Sequence, residues 1–270
     1  MRQSERCKMA GFPANFMPMP VLSAIYRYPV KGLSPEALDH VVLKRGETLP
    51  CDRAYAIENG TADFDPDAPR YFPKAKFLML MRDEKLATLA TRFEDDGHVL
   101  TIERAGKQVA RGALSTPIGR KLIEQFFAAY MKDALRGPPR IVHAQGFSIS
   151  DVPQKWISII NLASLRDIER VAGQPVDPLR FRANLYVDGL PAWAEHEWIG
   201  QELICADGTR LKVEERTSRC AAVNVNPQTA ARDLQLPRTL MNAFGHADCG
   251  VYASVIDGGR LTAGEAINLP

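Results

Sequence analysis

The sequence predicts a mainly β fold with helices, α+β in class, closed into a barrel or a curled sheet. Three observations predict it. Short apolar runs of strand length recur between Gly-, Pro- and Asp-rich turns along most of the chain. Only two segments carry the apolar spacing of an amphipathic helix. No glycine-rich Rossmann or P-loop fingerprint stands at a strand-to-helix turn, so a doubly wound parallel sheet around a nucleotide is disfavoured.

The elements follow in order. Val21 to Tyr28 reads as a strand ending at Pro29, and Leu38 to Leu43 as a second closed by Arg45-Gly46. Ala54–Ile57 is a third, and the Asp-, Pro- and Gly-dense stretch from Asn59 to Pro73 is a loop. Strands are expected at Phe77–Met81, Ala87–Phe93, Val99–Arg104 and Lys107–Arg111, with turns at Asp96-Gly97 and Ala105-Gly106. Thr116 to Tyr130 has a cap residue, a proline at the first helical position and apolar residues at helical spacing, which predicts a helix packed on a sheet. After strand-like Ile141–Ala144 and Trp156–Ile160, Asn161 to Val171 reads as an amphipathic helix stopped by Gly173 and Pro175. Further strands are predicted at Asn184–Asp188, Glu202–Ala206, Leu211–Arg216, Ala221–Asn226 and Gly250–Ile256.

Composition narrows the function. With 270 residues, 46% of them hydrophobic, the chain can bury a substantial core as one large domain or two modest ones. A net charge of only +2 raises no global field for nucleic acid, so an anion site must be built from a few local basic residues. The five cysteines Cys7, Cys51, Cys205, Cys220 and Cys249 are scattered and form no Cys-x-x-Cys pair, which fits a reducing cytoplasm better than a disulfide framework. Residues 1–18 hold no apolar run long enough for export or a membrane span and are expected to be a flexible leader.

The segment Arg216-Thr-Ser-Arg-Cys220 places one thiol among basic residues. Cationic neighbours favour the thiolate, the form of cysteine that attacks electrophiles or ligates soft metals.

Four separated segments match one family in order: Ile25 to Gly32 (IYRYPVKG); Cys51-Asp-Arg53 with the following Ala-Tyr-Ala-Ile; Phe181-Arg-Ala-Asn184 with Trp198-Ile-Gly200; and Ser218-Arg-Cys220 running into Asn226-Pro-Gln-Thr229. On these segments the chain resembles the MOSC proteins, related to the C-terminal domain of molybdenum cofactor sulfurase. It looks most like the subgroup that includes the mitochondrial amidoxime-reducing component. Gly32, where eukaryotic relatives often place serine, and Ala183, where proline is common, depart from that subgroup.

The resemblance implies an N-terminal β-barrel domain over residues 19–135 and a MOSC β-barrel domain over 136–270. It implies a molybdenum cofactor, Mo-molybdopterin, with Cys220 as the protein's metal ligand. Lys31, Gly32 and Arg53 then hold the cofactor's phosphate end. Arg182 and Asn184, two apart and so on one face of a strand, answer the pterin edge. Ser218 and Arg219 flank the thiolate and tune it, and Asp151 matches an acidic position that delivers protons. The implied activity is reduction of small N-hydroxylated compounds, with electrons from a separate electron-transfer protein because the chain has no iron–sulfur, flavin or nicotinamide motif. Pyridoxal phosphate, nucleic acid and a membrane span are not expected. The alternative is a sulfur carrier or cofactor-handling protein with a persulfide on Cys220.

Overall fold

The computed structural model describes residues 19–60 and 63–268; the expected leader, with Cys7, lies outside them. The fold is mixed α+β with a curled sheet. In chain order the strands are β1 (Val21–Arg27), β2 (Glu36–Leu38), β3 (His40–Leu43), β4 (Ala56–Glu58), β5 (Leu89–Glu94), β6 (Val99–Arg104) and β7 (Lys107–Ala113). Helix α1 (Pro117–Tyr130), β8 (Arg140–Val142), β9 (Ile157–Asn161), α2 (Leu162–Ala172), β10 (Leu185–Asp188), β11 (Glu202–Cys205) and β12 (Arg210–Ser218) follow. Helix α3 (Leu236–Phe244), β13 (Asp248–Asp257), β14 (Gly259–Thr262) and β15 (Ile267–Asn268) complete it.

Eight strands form the main sheet in the order β15-β11-β12-β13-β9-β10-β1-β2, so β1 and β2 pair into the sheet built by the C-terminal half. Only β9 and β10 run parallel within it, joined through α2. Alternate residues of β1, β9, β12 and β13, among them Ile25, Ile159, Val213 and Val251, fill one core. The β5–β6–β7 meander and α1 enclose a second, around Ile102, Ile123 and Phe127. Helix α1 approaches β7 backbone to backbone: a Cβ on Gly119 would lie 2.1 Å from the Ala113 carbonyl oxygen, and one on Gly112 2.4 Å from that of Gly119.

Three expected strands need correction, and α3 adds a third helix to the two expected. The strand at Leu38–Leu43 is broken at Asp39, because β2 stays with β1 while β3 pairs with β14 from the far end of the chain. The strand at Phe77–Met81 is a single bridge to Glu58 followed by a turn. Phe77, Leu78 and Met79 are apolar because they are buried, and the Asp83 carboxylate bends the chain by accepting the Met79 N–H at 3.0 Å. Ala221–Asn226 begins as a 3₁₀ turn, Ala221–Asn224, and the Asn226 side chain then accepts from Gln228 and Thr229 N–H groups. Helix α3 carries no cap side chain, and its Leu236 and Leu240 are buried one turn apart.

Candidate functional site

One cavity of about 480 Å³, a size usual for small-molecule sites, opens where the loops at the strand ends meet. Lys31, Gly32, Arg53, Asp151, Arg182, Asn184, Ser218, Arg219 and Cys220, drawn from distant parts of the chain, all line it. Seven cationic side chains face three carboxylates around its wall, an excess of positive charge larger than the net charge of the whole chain. An anionic ligand suits such a wall.

Cys220 lies two residues past the end of β12, at the head of the Ala221–Asn224 turn, half-buried. The other described thiols do not line the cavity. Cys205 and Cys249 are buried, and burial pushes each up to about 12, while burial also raises half-buried Cys51. Arg219 does not direct its charge at the thiol. Its Nε donates to the Cys249 carbonyl at 2.8 Å, its Nη1 donates to the Phe181 carbonyl at 3.0 Å, and its guanidinium lies over the Phe181 ring. The cation beside Cys220 is Lys74, which the sequence did not single out: it comes from the end of the Asp- and Pro-rich loop and carries no motif. Burial would lower Lys74, but Asp151 and Cys220 outweigh it and raise it. Ser218 stands exposed at the rim.

Lys31 is buried, with Nζ donating to the Ile149 carbonyl at 3.1 Å and to the Asp151 carboxylate. Burial lowers it in spite of that partner. Desolvation would raise Asp151, but Lys31, then Lys74 and Arg53, bring it down to about 2. Asp151 was expected to supply protons. In this arrangement it is an ionised acceptor at neutral pH and must first take up a proton. Gly32 has φ +85°, and a Cβ there would meet the Leu78 carbonyl oxygen at 3.0 Å, so backbone geometry as well as space calls for glycine.

Arg53 donates to Asp52, to Asn184 Oδ1 at 3.4 Å and to the Arg182 carbonyl at 2.9 Å. Arg182 does not sit in a strand; it follows the 3₁₀ turn Pro178–Phe181 in the left-handed conformation, φ 53°. The strand alternation invoked for Arg182 and Asn184 therefore does not operate, although both reach the cavity. Asn184 is buried and largely engaged: Oδ1 accepts from the Ser158 N–H and hydroxyl, and Nδ2 donates one N–H to the Tyr26 carbonyl at 3.1 Å, tying β1 to β9. Its reach toward a ligand is correspondingly small. Asp52, Tyr28 and Arg180 also belong to this region. Asp52 and Tyr28 fall inside the matched segments, whereas Arg180 is one residue before one and has a buried Nε with no partner.

Among the described residues no group of three or more His, Cys, Asp and Glu side chains is placed to hold a metal ion. A metal at Cys220 would therefore take most of its ligands from a non-protein group, and a dithiolene cofactor with a phosphate tail has the donors and charge that this cavity matches. No helix among the described residues is long and apolar enough to cross a membrane.

The MOSC domain family matches residues 146–268. Among solved structures the chain is similar to the YuaD protein from Bacillus subtilis, at 14% identity over 92% of this chain and 94% of that one, with a TM-score of 0.43. It is also similar to YiiM from Geobacillus stearothermophilus (19% identity, 42% of this chain, 53% of that one, TM-score 0.32) and YiiM from Escherichia coli (22%, 42%, 53% and 0.32). The matched part spans about half of either YiiM chain. No curated protein matches by sequence.

Proposed function

On the premise that residues 146–268 form a MOSC domain, we propose that the chain binds a molybdenum cofactor and reduces small N-hydroxylated compounds. The observation that carries the proposal is the meeting, in one cavity, of Cys220 with a cationic wall while the other described thiols lie elsewhere. Lys31, Arg53 and Arg182 would hold the phosphate and pterin ends, and Cys220 would anchor the metal. When bound, the cofactor supplies a two-electron centre able to accept oxygen from the substrate. Conversion of N–OH to N–H and water consumes two electrons and two protons, and the electrons come from a separate protein. Lys74 and the ionised Asp151 fix the charge beside the thiol, and Asp151 is the carboxylate through which a proton would pass.

Metal analysis of protein from a host that makes the cofactor tests this reading. Wild type should hold stoichiometric molybdenum, Cys220→Ser should lose it, and Cys51→Ser and Cys249→Ser should keep it. The loaded protein should be silent with NADH alone and reduce amidoximes or hydroxylamines with a dye reductant. Asp151→Asn should slow turnover more than it lowers bound molybdenum. Sulfane sulfur on Cys220 without metal, and no turnover across the panel, would instead establish the carrier role, for which the half-buried thiol beside a lysine is equally suited.

A further inference from the structure

Two arginines of the cavity wall have left-handed backbones, Arg53 at φ 50° and Arg182 at φ 53°. Neither is glycine, and residues hold such conformations only where their surroundings over-determine them. One residue grips both loops. The Tyr28 ring centroid lies 4.2 Å from the Arg182 guanidinium carbon and 4.6 Å from that of Arg53. Its polar atoms reach the same two segments: the backbone N–H donates to Asp52 Oδ1 at 2.8 Å and the carbonyl accepts the Arg53 N–H at 2.8 Å. On the other side the hydroxyl donates to the Ala183 carbonyl at 3.3 Å. Tyr28 is fully buried, and burial pushes its hydroxyl up to about 12, so it stays a donor.

Two guanidinium groups repel, and long side chains splay unless something holds them. A desolvated aromatic ring attracts both and restrains where they lie. Arg182 spends only Nη1 on a protein partner, the Leu33 carbonyl at 2.7 Å, which leaves Nε and Nη2 without one among the described residues. Arg53 Nε is likewise uncommitted.

We infer that Tyr28 is the positioning residue of a two-arginine oxyanion clamp, its ring setting the spacing of Arg53 and Arg182 so that both meet one phosphate monoester. The clamp rests on the reading of the cavity as an anion site. Holding the two charges in place before the ligand arrives removes the reorganisation that binding would otherwise require.

Inorganic phosphate titrated calorimetrically into the full chain, expressed without molybdate and at low ionic strength, tests the clamp. Tyr28→Phe keeps the ring and should bind phosphate within about threefold of wild type, whereas Tyr28→Leu should bind about tenfold more weakly. In an Arg182→Met background Tyr28→Leu should cost clearly less than in wild type, because only the Arg53 contact is left to lose, a non-additivity that a purely structural role does not produce. Should Tyr28→Leu not fold, Arg182→Lys keeps the charge and loses the guanidinium that lies over the ring, and the same tenfold loss is expected. Phosphate affinity unchanged in Tyr28→Leu, or in Arg182→Lys, overturns the clamp; if Arg53→Met and Arg182→Met still weaken binding, the anion site survives without it. Phosphate binding that is absent in wild type, or indifferent to both arginines, overturns the clamp and the anion site together.

Discussion

In the β5–β6–β7 meander each strand pairs with its neighbour in sequence and α1 packs on β7 directly after it, whereas the cavity wall collects Lys31, Arg53, Lys74, Asp151, Arg182 and Cys220 from six separate segments. The first region is built from neighbours in sequence, with Thr116 accepting the Gly119 N–H at 3.0 Å as α1 begins, and its left-handed residues, His98 and Ala105, sit in the turns between adjacent strands. In the second, Arg53 and Arg182 are left-handed and Lys31 is buried. The comparison teaches that the meander is held by short-range contacts that each segment largely makes for itself. The cavity is held by charge pairs and carbonyl contacts between loops far apart in sequence, in conformations that those loops would not keep alone.

If the two regions are separable in this way, substitutions in each should leave the other's property intact. The largest effect is expected at the cavity: Lys31→Ala combined with Arg53→Ala should strip the cofactor, at about 1.5–3 kcal/mol for each charge-assisted phosphate bond, with the fold retained. Full occupancy in a folded double variant would mean that neither residue holds the cofactor. In the meander, Ile123→Ala removes a fully buried side chain and should cost about 2–5 kcal/mol in urea unfolding without changing phosphate affinity. A parallel loss of phosphate affinity would break the comparison.

Smaller effects sharpen it. Thr116→Ala deletes the α1 cap and should lower stability by about 1 kcal/mol, read as a shift in the denaturant midpoint at constant slope. For Asp151 the folded value lies below the unfolded one, so its contribution is present above the ordinary 3.8 and is lost as pH falls toward about 2. Its side chain is 48% exposed, so the contribution is modest. Asp151→Asn should flatten that part of the acid-stability curve, and an unaltered curve would mean that the pair with Lys31 adds nothing.

How far each region could be read from sequence follows the same division. Thr116, Pro117 and the apolar spacing place α1 where it is found, and Gly173 ends α2 with its left-handed backbone, because caps and breakers act within a turn. Phe77–Met81 and Ala221–Asn226 read as strands in the sequence and are turns in the fold, since a short apolar run looks the same whether it pairs in a sheet or is buried as a turn. Helix α3 has a weak sequence signature because Gln235 gives no side-chain cap and its buried face rests on two leucines.

The sequence by itself determined the α+β class, the positions of α1 and α2, and a set of separated residues that the fold brings to one cavity. Only the tertiary structure decided which charges meet there: Lys74 rather than Arg219 beside Cys220, Asp151 ionised against Lys31, and Tyr28 under two arginines. The physical reason is range. Helix caps, turns and apolar periodicity express the chemistry of a few adjacent residues, whereas an ion pair or a guanidinium stack exists only after the folded core has carried loops more than a hundred residues apart to within a few ångströms of one another.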